Sequence, residues 1–98
     1  MRVRVKLFGV FRNACRTEIF DIDLREDAKV RELAVKLVEE ANSKEFQSLF
    51  LDPELNDPRP NAVILISGRE ISTIQGLDSP LRSGDEVTIL PVAHGGLL

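Results

Sequence analysis

The chain has 98 residues, 43% of them hydrophobic and 30% charged, with 13 basic against 16 acidic side chains and a formal net charge of −3. That balance excludes a disordered or low-complexity chain and fits one small domain with a single modest core. It also argues against a general nucleic-acid scaffold, which would lean basic. The lone cysteine, Cys15, allows no internal disulfide and cannot hold a zinc or iron–sulfur site by itself. No apolar run approaches the ~18 residues of a membrane span. The opening Met1-Arg2-Val3-Arg4-Val5-Lys6 alternates charge with valine, unlike the apolar block of a signal peptide. The expectation is a soluble, cytoplasmic single domain with neither membrane nor nucleic acid as partner.

Residues 2–8 alternate with period two, so they read as a half-buried strand with Val3, Val5 and Leu7 on one face and Arg2, Arg4, Lys6 and Phe8 on the other. Gly9 to Arg16 breaks the pattern and, with Gly9 and Asn13, reads as a turn. Alternation resumes over 18–24, which puts Phe20, Ile22 and Leu24 inward and predicts an antiparallel hairpin across a short polar loop. Val30, Leu33, Ala34, Leu37, Val38 and Ala41 then fall on one helical stripe, with Arg31, Glu32, Lys36, Glu39 and Glu40 opposite. Asp27 is the predicted N-cap of this helix and Asn42-Ser43 its exit.

Between 44 and 61, Phe46, Leu49 and Phe50 hint at a helical turn, followed by loop chemistry at Asp52-Pro53 and Asp57-Pro58. Ala62-Val63-Ile64-Leu65-Ile66 is a short, β-branched apolar run, as expected of a strand covered on both faces. Ser67-Gly68-Arg69 turns the chain into a short strand at Glu70-Ile71-Ser72, and Glu86 to Leu90 is the last strand. One helix among five strands is too few for a doubly wound fold, so an α+β domain with the helix packed on one face of a mixed sheet is expected.

Catalytic supply is thin. There is one His and one Cys, with no Tyr or Trp, and His94 lies far along the chain from Cys15. Neither a P-loop nor a GxGxxG motif is present. The diglycine Gly95-Gly96 after the last strand is more informative, because glycine is costly to order and gives no packing. A stretch without side chains can thread a narrow channel and present a carboxylate to a nucleotide; a frayed terminus with incidental glycines fits the spacing equally well. From Leu90 to Gly96 the chain reaches up to ~20 Å when extended.

Lys6-Leu7-Phe8-Gly9, Ala28 to Leu33 at the helix start, and Pro80 to Gly96 together resemble the β-grasp sulfur carriers over essentially the whole chain, most specifically in its last twenty or so residues. That group includes the molybdopterin synthase small subunit, the thiamine sulfur carrier, the small archaeal modifier proteins and the ubiquitin-related modifier. The resemblance implies a β-grasp, ubiquitin-like domain over 1–92 followed by a flexible tail over 93–98. It further implies a protein that is the substrate of an enzyme rather than an enzyme. An E1-like adenylating enzyme would activate Gly96 with ATP, while Gly95 occupies that enzyme's channel. The carrier itself would bind no cofactor. The activated glycine would become a thiocarboxylate serving a molybdopterin synthase large subunit, or would pass to lysines of target proteins. The candidate docking residues are Phe8, Leu65 (or Val63), Leu90 and Val92 on the outer sheet face, with Arg2, Arg4 and Lys6 available to an acidic partner, and His94 beside the diglycine. Three features depart from the family pattern. Leu97-Leu98 follows the diglycine, so a processing protease is implied; Lys29 stands where a helix-opening threonine is common; and His94 replaces a small residue, leaving both branches of the family open. The alternative from a different class is a non-covalent ubiquitin-like interaction module whose tail is inert.

Overall fold

Both alternating segments and the final one become neighbouring strands, because their inward valines, leucines and isoleucines can be buried only together. The computed structural model describes residues 1–92. The expected tail, with His94, Gly95, Gly96 and Leu97-Leu98, lies outside the described residues. Five strands form one mixed sheet: β1 (Arg2–Leu7), β2 (Ile19–Asp23), β3 (Ala62–Ile66), β4 (Arg69–Glu70) and β5 (Glu86–Pro91), in the order β2-β1-β5-β3-β4. The first and last strands pair in parallel, Val5 beside Val87 and Leu7 beside Ile89; every other pairing is antiparallel. This is the β-grasp arrangement, an α+β domain as expected.

Three helices accompany the sheet: α1 (Gly9–Cys15), α2 (Val30–Ala41) and α3 (Lys44–Phe50). The predicted stripe on α2 buries Val30, Leu33, Ala34 and Leu37 against Val3, Val5, Leu7, Ile22, Ile64, Val87 and Ile89 in one core. Phe20, Leu24, Val38 and Ala41 pack at its margin. Leu37 is wholly buried. Truncation to alanine removes its contacts and leaves a cavity, so Leu37→Ala is expected to cost about 2–5 kcal/mol in a urea unfolding experiment. A loss below half that range would take α2 out of the core.

Four local readings are corrected. The segment 9–16 is not a polar turn: α1 occupies it, so β1 and β2 pair as expected but are joined by a helix. Its stability is tertiary, since Phe11 inserts edge-on against Phe46 and Phe50 at ring distances of 5.8 and 5.7 Å, while those two stack at 4.9 Å. The N-cap of α2 is Lys29 rather than Asp27. Its backbone N–H donates to the Glu32 carboxylate at 3.2 Å, and its extended backbone bridges to Pro80, which fixes where the helix begins. Asn42, in the left-handed conformation, ends α2 as predicted. The strand expected at 70–72 stops after Glu70, because the Glu70 carboxylate accepts the Ser72 N–H (2.9 Å) and starts a 3-10 turn over Ile71–Thr73. Finally, the apolar run 62–66 is covered fully on one face only: Ala62, Ile64 and Ile66 are buried, Val63 and Leu65 half-buried. The hinted turn at Phe46 and Phe50 is a true helix, capped by the Ser43 hydroxyl, which accepts the Phe46 N–H at 3.1 Å.

Candidate functional site

The sheet face away from the helices, and the end of β5 that leads to the diglycine, form the candidate site. Strand register decides which side chains meet there. Val87 and Ile89 point into the core, so Thr88 and Leu90 point outward. Leu90 lies opposite Val63, and Thr88 opposite both Leu65 and Lys6. The Phe8 N–H donates to the Ile89 carbonyl at 3.2 Å, extending the β1–β5 ladder and bringing Phe8 beside Leu90. The result is a row Phe8–Leu90–Val63 with Leu65 adjoining it. Phe8 is 40% exposed, and Leu90, Val63 and Leu65 are half-buried. Val92 continues the same side and is tied down where its N–H donates to the Asn61 carbonyl at 3.0 Å. All four described docking candidates therefore share one surface, and both Val63 and Leu65 belong to it. His94, Gly95 and Gly96 lie outside the described residues.

The cations of that face are each paired with a carboxylate. Arg2 makes a two-pronged contact with Asp23 (2.9 and 3.2 Å), Arg4 does the same with Asp21 (2.9 and 3.3 Å), and Lys6 meets Glu86 at 3.3 Å. The antiparallel register sets each arginine directly opposite its aspartate. Hydrogen bonds from Arg4 and from Arg2, reinforced by their charge, hold the Asp21 and Asp23 carboxyls below the usual carboxylate range. A carboxylate whose acidity is strengthened by folding contributes stability above its unfolded pKa, and that contribution disappears as pH falls through the folded value. Thermal stability should therefore hold from pH 7 to about pH 5 and fall below about pH 4. The variant Arg2→Gln/Arg4→Gln should show a shallower acid limb in melting experiments; an identical limb would mean that these pairs contribute nothing.

Cys15 is half-buried, and burial pushes its thiol pKa up, so it stays protonated and is a poor nucleophile at neutral pH. Beside Val92 a groove of about 500 Å³ opens between β3 and the 3-10 turn over Ile71–Thr73, with Arg59, Ile71 and Gln75 on its walls. Gly9 begins α1 with φ +57°, and a Cβ placed there would come within 3.0 Å of the Pro91 ring. Glycine is thus what lets α1 lie against the root of the tail.

Fold and face together define a β-grasp domain of the carrier and modifier class, whose members are small proteins and not themselves enzymes. The model of the ThiS family matches residues 5–96, and the chain belongs to that family. A candidate sulfur carrier protein of Archaeoglobus fulgidus is 35% identical over 78 residues, spanning 76% of this chain and 84% of the relative. Among solved structures, small archaeal modifier protein 1 of Haloferax volcanii superposes with TM-score 0.83 at 20% identity, covering 98% of this chain and all of that one. A candidate molybdopterin converting factor subunit 1 of Pyrococcus furiosus does so with TM-score 0.73 at 25% identity, covering 95% and 99%. No helix among the described residues is long and apolar enough to cross a membrane.

Proposed function

We propose that this chain is a sulfur carrier of the molybdopterin-synthase small-subunit type, activated at Gly96. An E1-like adenylating enzyme would bring ATP to the Gly96 carboxylate. Attack on the α-phosphorus expels pyrophosphate and leaves an acyl-adenylate, a far better acyl donor than the carboxylate. Hydrosulfide then attacks the acyl carbon and displaces AMP, so the glycine becomes a thiocarboxylate; attack by a lysine amine instead would give an isopeptide. The carrier supplies the carboxylate and the docking face, and the enzyme supplies the chemistry. The observation that carries this reading is the extent of the family match, which runs to residue 96, the second glycine of the tail. The similarity to the Archaeoglobus and Pyrococcus proteins favours sulfur delivery as its use.

Gly96 is followed by Leu97-Leu98, so its carboxyl is held in a peptide bond and the reading requires a protease to free it. The same two residues favour the competing reading, a non-covalent interaction module with an inert tail. The two are separated by ATP–pyrophosphate exchange with an E1-like enzyme, run with and without Leu97-Leu98, and by the mass of the product, which gains the difference between sulfur and oxygen when a thiocarboxylate forms.

A further inference from the structure

We propose that the partner which takes the tail also grips α1, with Val10 as an apolar contact and Arg12 and Arg16 facing an acidic rim on that partner. The inference rests on the reading of Gly96 as the activated residue. From Val92 to Gly96 is four residues, so the partner's reacting centre lies within ~13 Å of Val92. A protein that comes so close covers the end of the sheet as well as its face. What stands at that end is α1, which packs against β5 and whose first residue, Gly9, lies so near Pro91 that a Cβ there would meet its ring.

The helix is fixed on its inner side by Phe11, which is 1% exposed, and leaves Val10 47% exposed, two residues along the chain from Phe8. Val10 thus adds an exposed apolar side chain at this end of the sheet. Charge points the same way. The strand cations are neutralised by Asp21, Asp23 and Glu86, whereas Arg12 meets only Glu18, and only at 3.8 Å. Among the described residues Arg16 has no carboxylate within 4.0 Å, as is true also of Lys29, Lys36, Lys44, Arg69 and Arg82. Arg16 directly follows α1, so this end of the sheet keeps positive charge that β1 does not. Such charges chiefly raise the rate of encounter and make binding salt-sensitive.

The test is direct binding of the chain ending at Gly96 to the E1-like adenylating enzyme of its own organism, by calorimetry at low and high salt. Val10→Asp and the double variant Arg12→Glu/Arg16→Glu are compared with the parent. Each should bind about tenfold more weakly, and the double variant should lose most of the salt dependence. The side chains are exposed, so melting temperatures should not move, and an amide-shift footprint on the parent should include residues 10–16. Unaltered binding by both variants, or a footprint confined to the strands, overturns this inference while leaving the activation of Gly96 standing. Absence of any binding by the parent overturns both. Self-association of the parent that Val10→Asp dissolves, with enzyme binding unchanged, would assign the helix to a second copy of the chain and likewise overturn the proposal.

Discussion

With Leu97-Leu98 in place the chain should support no ATP–pyrophosphate exchange with an E1-like adenylating enzyme, and on the proposed activation of Gly96 a chain ending there should support it fully. The reason is chemical. Adenylation needs a free carboxylate as nucleophile, and in the full chain the carboxyl carbon of Gly96 is an amide joined to Leu97. The amide oxygen is neutral and a far weaker nucleophile than a carboxylate anion, so the effect is close to all-or-none and no change in docking can compensate for it. The shortened chain carrying Gly96→Ala should keep its affinity, because the docking face is untouched, but turn over much more slowly, since a Cβ beside the reacting carboxylate displaces it from in-line attack. A misplacement of 1 Å at a reacting centre costs on the order of a hundredfold. Exchange by the full chain equal to that of the shortened one would show that processing is unnecessary. Exchange by neither, with enzyme bound, would favour the interaction module.

Much of the domain is legible from residue order, for identifiable reasons. Strands β1, β2 and β5 and helix α2 each carry a long, clean hydrophobic period, and the period fixes both the element and the face it buries. The outward apolar row follows from the same parity, since Val87 and Ile89 inward forces Leu90 outward. What escaped is what depends on contacts distant in sequence. Helix α1 is seven residues long, begins at a glycine and buries only Phe11, so its period is too short to read; it exists because Phe46 and Phe50, more than thirty residues later, provide a slot for that ring. Lys29 caps α2 because Pro80 pins its backbone, and no local signal announces that pairing. The neutralisation of Arg2 and Arg4 was half visible: arginine at 2 and 4 and aspartate at 21 and 23 share one period, and antiparallel pairing with Val3 beside Ile22 sets them face to face. β1 alone is a basic strand; with Asp21 and Asp23 of β2 and Glu86 of β5 its charge is balanced. The outer sheet face is therefore an apolar row edged by paired charges.

Replacing two neighbouring members of the exposed row should then remove binding without removing the fold. In Phe8→Ser/Leu90→Ser two adjacent apolar side chains, one from β1's extension and one from β5, become small and polar. Phe8 is 40% exposed and Leu90 half-buried, so neither fills the core, and the combined loss of stability should stay near 1–2 kcal/mol, well below that of Leu37→Ala. Binding has no such reserve. Central aromatic and aliphatic contacts contribute most of an interface's affinity, typically 2 kcal/mol or more each, so the pair should weaken association with the adenylating enzyme on the order of a hundredfold or beyond. The unfolding midpoint and the enzyme affinity, measured on the same preparation, separate the two effects. Loss of both together would mean that the row is structural. Retention of normal affinity would move the docking surface off this face altogether, leaving α1 and the groove beside Val92 as the contacts that position the tail.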